Sequence, residues 1–204
     1  AESAHVPLDS VLERHEGLIA LTGGPDGVLN RLAAEGRTAP ADALLDRLEQ
    51  AFGDRLYVEL QRHGRADELA AEDWLVEAAY ARGLPLVATN EPYFPEPAMY
   101  AAHDALLCIA DGAYVTQDDR RRVTPEHAFK SPAEMAALFD DLPEALANTV
   151  EIARRCAFRA RTHPPILPRF PTEGGRTEAD ELRAQARAGL AIRLDKLEAA
   201  APRG

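Results

Sequence analysis

Cysteine is scarce in this sequence: Cys108 and Cys156 are the two among 204 residues. They lie far apart, each inside an apolar helical pattern, and neither has the spacing of a zinc or redox motif. Disulfide frameworks and zinc fingers are therefore excluded, and both thiols are expected to be free, buried and in a reducing compartment. Long apolar runs are missing as well. Nothing approaches the roughly 20 residues that a membrane helix needs, and residues 1–16 lack the basic and apolar regions of a secretory signal. A cytoplasmic location without membrane contact is expected. Positive charge is in deficit, with 23 Lys and Arg against 34 Asp and Glu, a net charge of −11 and a pI near 5.0. Such a balance argues against this chain gripping a phosphate backbone by itself. No Gly-x-Gly-x-x-Gly, P-loop lysine or internal repeat is present.

What remains is an ordinary globular composition, 46% hydrophobic, arranged as alternating elements. Residues 1–16 hold a short helical pattern. Leu18-Ile19-Ala20-Leu21-Thr22 reads as a buried strand with a tight exit at Gly23-Gly24, a βα turn. Helices follow over 25–34 and 40–52, then a strand over 55–61. An amphipathic helix at 66–82 places Leu69, Trp74, Leu75, Ala78 and Ala79 inward, and a strand spans 85–89. This alternation implies parallel strands with right-handed crossovers. From Glu96 onward the pattern is helical. A helix over 97–110 carries Met99, Ala102, Leu106 and Ile109. Capping signals sit at Ser131-Pro132-Ala133-Glu134 and again at Asp141-Leu142-Pro143-Glu144, the second opening a helix with Leu146, Val150, Ala153 and Cys156 along one stripe. The prolines of 163–171 force an extended arm. A last helix over 176–199 needs something to cover its apolar face. Arg120-Arg121-Arg122 and Arg154-Arg155 read as a solvated loop and a solvated helix end. The chain opens on Ala rather than Met and in mid-pattern, so a piece of a longer protein is expected.

The organising stretch is Pro85-Leu86-Val87-Ala88-Thr89-Asn90-Glu91-Pro92-Tyr93. A short strand buried on both faces ends abruptly in polar and ring-bearing side chains, at the carboxyl edge where parallel sheets and barrels place chemistry. An acid and a second group two residues on aim at one point, because side chains alternate with period two. This segment resembles the strand end Ala-Thr-Asn-Asp-x-His-Tyr of the PHP (polymerase and histidinol phosphatase) domain in alpha subunits of bacterial replicative DNA polymerase III. Four further segments resemble that family in the same order: 17–24, Tyr57 through Gly64, Ala102 through Ile109, and 129–156 with the arm Ile166-Leu167-Pro168-Arg169-Phe170-Pro171.

The resemblance implies a partial (β/α)7 PHP-type barrel with parallel strands, followed by an all-α connecting region: barrel over 1–95, helical exit over 96–160, and a proline-rich arm and helix leading toward a polymerase core over 161–204. It also implies metal ligands at the positions of His63 and Glu91. Tyr93 stands where the family's second ligand, a His, is expected. A phenol with a pKa near ~10 seldom ionises enough to replace an imidazole, so a degenerate metal site is expected. The family's opening His-x-His strand and palm aspartates have no counterpart here. Magnesium is implied for the parent polymerase core and no cofactor for this stretch, with zinc or manganese if the PHP site is intact. Implied partners are the remainder of the alpha subunit, the proofreading exonuclease subunit, and DNA through other domains. The implied function is a scaffold within a DNA-synthesising enzyme; the alternative is a metal-dependent PHP phosphoesterase or 3′–5′ exonuclease.

Each residue also has a plainer role. His63 before Gly64 could cap a turn, Glu91 and Tyr93 could form a hydrogen-bonded pair, and Glu59 facing the side of Gln61 could sit beside the site. His103 reads as a packing residue. His5, His15, His127 and His163 lack acids or thiols at metal spacing and read as surface residues. The acidic balance predicts that a gel shift near physiological salt detects no sub-micromolar complex between this chain and DNA; specific binding below that range would place a nucleic-acid surface where the charge forbids one.

Overall fold

A computed structural model describes residues 5–172 and 174–200. The chain divides into two compact units, one running to Ala157 and one beginning at Phe158.

In the first unit, three parallel strands lie in the order β1 (Ala20–Leu21), β2 (Leu56–Leu60), β3 (Leu86–Ala88). Ala20 pairs with Leu56, and Val58 with Leu86. After the short helix α1 (Leu8–Glu13), the crossovers are α2 (Val28–Ala34) with α3 (Thr38–Phe52), and α4 (Ala66–Arg82). The expected α/β layer with parallel strands and helical continuation is what forms. β2 is central and its Leu56, Val58 and Leu60 are buried, as are Leu86, Val87 and Ala88 of β3. Against them pack Leu29 of α2, Leu45 and Phe52 of α3, and the stripe Ala71, Leu75, Ala79 of α4. That stripe follows the helical period, which leaves Leu69 out of phase and 69% exposed, against expectation. Trp74 is half-buried on the core edge. α4 ends at Gly83, whose φ of 67° lets Leu84 N donate to Ala79 O at 2.9 Å.

β1 is shorter than the expected 18–22, and Leu18 and Leu21 are exposed rather than buried. Among the described residues it pairs with β2 alone and is an edge strand. α3 starts at Thr38, two residues before the expected Pro40, because a proline is tolerated anywhere in the first turn.

α5 (Tyr100–Asp111), α6 (Pro132–Leu138) and α7 (Pro143–Arg155) complete the unit. The expected inner face of α5 is outward: Leu106 is 60% and Ile109 79% exposed, while Cys108 is buried. In α7 the inward positions are Ala145, Leu146, Asn148, Thr149 and Ile152; of the expected stripe Leu146 packs on the core, whereas Val150, Ala153 and Cys156 are exposed. The reason is polar. Leu86 O points away from β2, and Asn148 Nδ2 donates to it at 2.8 Å. α7 thus closes the flank of β3 and is rotated to do so. Ser131 caps α6 as expected, its Oγ accepting from Glu134 N, but Asp141 does not cap α7, because Arg62 takes its carboxylate.

In the second unit residues 158–172 form no helix or strand, and α8 (Glu178–Ala200) carries exposed Leu182, Leu190, Ile192 and Leu197. Among the described residues no helix is long and apolar enough to cross a membrane.

Removing the Asn148 amide strands a buried carbonyl, so Asn148→Ala should cost about 1–3 kcal/mol in urea unfolding. Phe139→Ala, which empties a fully buried ring position, should cost about 3–5 kcal/mol. An Asn148→Ala chain as stable as its parent would mean that α7 covers the strand by packing alone.

Candidate functional site

The carboxyl ends of β2 and β3 meet a loop from 113–131, and this is where the candidate residues gather. His63 leaves β2 into the turn at Gly64 and is 1% exposed. Its Nδ1 lies 2.8 Å from Glu68 Oε1, and its backbone N donates to Glu68 Oε2 at 2.7 Å. Glu68 sits in the first turn of α4, where Arg65 N also donates to it at 3.1 Å. Burial pushes the Glu68 carboxyl up, but these donors together outweigh it and hold it below the usual carboxylate range. On the other side, His63 Nε2 lies 3.0 Å from Asn90 Oδ1. The Asn90 amide is oriented by its own nitrogen, which donates to Ala128 O at 2.8 Å. Both ring nitrogens of His63 therefore lie against side-chain oxygens.

His127 is not the surface residue expected; it is 1% exposed. Its ring stacks on His63 at 3.9 Å between centroids and 12° between planes. Thr124 N donates to His127 Nδ1 at 3.1 Å, and Thr124 Oγ1 donates to His63 O at 2.8 Å. Nδ1 also lies 3.2 Å from Thr124 O, so it faces a backbone donor and a backbone acceptor of the same residue. Burial first and the neighbouring His63 second lower the His127 pKa. The only local clue was Thr124-Pro125-Glu126-His127, a turn-capping pattern.

Glu91 is exposed and accepts the Tyr93 hydroxyl at 2.6 Å. That bond, with burial second, pushes the Tyr93 phenol up to about 12. Tyr93 stacks on His103 at 5.4 Å and tilts toward His127 at 5.6 Å, extending the ring column outward. A cleft of about 320 Å³ borders this column, lined by Asp26, Arg65, Glu91, Tyr93, His103 and His127 among others. Beside it, Glu59 accepts from Thr89 Oγ1 and from Gln61 Nε2. A Cβ at Gly24 would come within 2.4 Å of Gln61 Oε1, so a side chain there would have to displace the Gln61 amide. Gly23, with φ of 90°, makes the turn itself.

Arginines brace the site. Arg62 grips Glu72 and Asp141, donates to Leu138 O at 2.7 Å and lies over the Phe139 ring at 4.6 Å. Its hydrogen bonds in turn hold Asp141 below the ordinary carboxylate range. Arg120, expected in a solvated loop, is 5% exposed and forms two 2.6 Å bonds to Asp104. Arg155, expected at a solvated helix end, reaches Tyr57 Oη at 3.0 Å.

Tested as a metal site, these residues do not fit. A ligating imidazole must offer a lone pair, and both His63 nitrogens are engaged by protein oxygens. Among the described residues no group of three or more His, Cys, Asp or Glu is placed to hold a metal ion.

The family model described as PHP domain matches residues 2–63. The similarity then narrows. The chain is 58% identical, over 97% of its length, to DNA polymerase III subunit alpha of Caulobacter vibrioides. It is 43% identical over 91% of its length to the Escherichia coli K12 subunit of the same name, and 40% over 94% to that of Rickettsia bellii. The resemblance read from the sequence holds: nearly the whole chain is related to one stretch of these alpha subunits. It spans 16–17% of their length.

The two shifted groups give a pH dependence. His127, lowered from 6.5 when folded, takes up its proton first in the unfolded chain, so stability should fall as pH drops below about 6.5. Glu68, lowered from 4.5, contributes stability above that pH, which is lost as pH falls through its folded value. Urea midpoints measured against pH should show the first decline flattened by His127→Gln and the second by Glu68→Gln. An unchanged slope in both variants would place the responsible charges elsewhere.

Proposed function

We propose that this chain is the carboxyl-side portion of the PHP domain of a DNA polymerase III alpha subunit, together with the start of its connection to the polymerase core. In this reading the whole subunit carries out template-directed DNA synthesis, and this stretch is scaffold. One observation carries it: His63, the residue most expected to hold a metal, has both ring nitrogens bound to Glu68 and Asn90. Tyr93 supports it, since a phenol held near 12 stays protonated at neutral pH. The ring column does mechanically what metal coordination would otherwise do, joining the ends of β2 and β3 to the loop that carries His127. Magnesium in the parent's polymerase core would supply Lewis-acid chemistry there; no residue of this chain is assigned to it. The partners in this reading are the remainder of the alpha subunit and a proofreading exonuclease subunit, with DNA engaged by other regions of the parent.

Titration calorimetry with zinc and with manganese tests the reading. The expected outcome is no saturable site of micromolar strength for either ion. A tight stoichiometric site that disappears on His63→Ala would overturn the scaffold assignment in favour of a metal-dependent phosphoesterase or 3′–5′ exonuclease.

A further inference from the structure

Charge is divided unevenly along the chain. The first unit, to Ala157, holds 14 Lys and Arg against 28 Asp and Glu, whereas the unit from Phe158 onward holds nine against six. The basic excess sits in the arm: residues 158–172 contain Arg159, Arg161 and Arg169 and no Asp or Glu. In the first unit arginines answer acids, as Arg62, Arg65, Arg82 and Arg120 do. Arg159, Arg161 and Arg169 are exposed, and among the described residues they have neither an ion pair nor a hydrogen bond. The backbone does not fold over them. Pro164, Pro165, Pro168 and Pro171 bar a helix and push the residue before each toward extended backbone. The far end of the arm is anchored beside the start of α8, where Phe170 N donates to Glu178 Oε1 and Thr172 Oγ1 to Arg176 O, both at 2.8 Å.

Rings stand at both ends of this basic stretch. Phe158 is 88% and Phe170 56% exposed. Each is the sequence neighbour of a guanidinium, Phe158 of Arg159 and Phe170 of Arg169. A ring beside a cation matches a single strand of nucleic acid, whose bases offer flat faces to stack and whose phosphates take the charge. A duplex hides those faces, and an acidic polypeptide has carboxylates without them. An anionic lipid surface is best met by an amphipathic helix, which the prolines forbid.

We propose that residues 158–170 bind single-stranded nucleic acid, with Arg159, Arg161 and Arg169 on phosphates and Phe158 and Phe170 stacked on bases. Thirteen extended residues reach roughly 40 Å, enough to follow several nucleotides. The scaffold reading leaves DNA to other regions of the parent; the arm adds one weak contact to theirs. The net charge of −11 repels the same ligand, so the complex stays above micromolar at physiological salt.

The test is fluorescence anisotropy of the whole chain with a labelled thymidine oligonucleotide of about 15 nucleotides. Between about 50 and 200 mM salt, log affinity should fall against log salt with a slope of about −2, the value for three phosphates on a single strand. Arg159→Gln/Arg161→Gln/Arg169→Gln should bring the slope near zero and weaken binding at least about tenfold in the lowest salt. Phe158→Ala/Phe170→Ala should weaken binding about tenfold and leave the slope unchanged. A duplex of the same length should bind the parent and the ring variant alike. Polyglutamate and phosphatidylserine vesicles, used as competitors, should displace the strand at least about tenfold less well than unlabelled oligonucleotide. Since the arm has no helix or strand, both variants should keep the parent's thermal melt. No binding in low salt, an unchanged slope in the arginine variant, unchanged affinity in the ring variant, or a competitor equal to the strand would overturn the site. A chain that binds neither strand nor metal loses the arm alone, whereas one that binds zinc tightly and shows the arginine-dependent slope loses the scaffold reading alone.

Discussion

The arrangement depends on a buried imidazole held between two oxygens. Enclosing an imidazole at 1% exposure is costly unless polar partners and full hydrogen bonding accompany it. Glu68 and Asn90 supply both, and each is in turn fixed by other groups: Glu68 by the backbone nitrogens of His63 and Arg65, Asn90 by Ala128 O. Removing any one member would leave a buried group unpaired, so the members hold one another in place. Through them the end of β2, the end of β3, the start of α4 and the loop reaching His127 become one body.

Arg62, the preceding residue, has the matching role. It leaves the strand toward the opposite side from His63, as alternation requires, and its guanidinium is shared by α4 through Glu72 and by the turn before α7 through Asp141. Two successive residues of one strand end thus tie it in two directions. The helices that follow β3 are attached through side chains that bridge elements far apart in sequence, and these polar ties settle how α7 is rotated.

Much of the fold was legible. The helix at 66–82, the strands near 55–61 and 85–89 and the glycine stops follow from periodicity and turn chemistry, which are local. What misled was the facing of α5 and α7. Leu106 and Ile109 look like core residues by spacing, yet a stripe is buried only if something lies against it, and sequence does not say what does. α7 was misread because an asparagine, not a leucine, sets its orientation. At the site, His63, Glu91 and Tyr93 were found from the strand ends, and the Glu91 and Tyr93 pair was foreseen. His127 was missed, since nothing near it in sequence announces a partner that stacks from another strand end. Arg120 was misread for the same reason: its acid, Asp104, belongs to a helix whose approach the charge pattern does not encode.

The bond from Asn148 to Leu86 has a consequence during synthesis. Donor and acceptor are 62 residues apart. At ribosomal rates the strand waits roughly 3–12 s after it is made before the amide that finishes it is even polymerised. For that interval the nascent sheet presents a bare flank, able to recruit another nascent chain, and α7 acts as a late seal whose arrival ends the exposure.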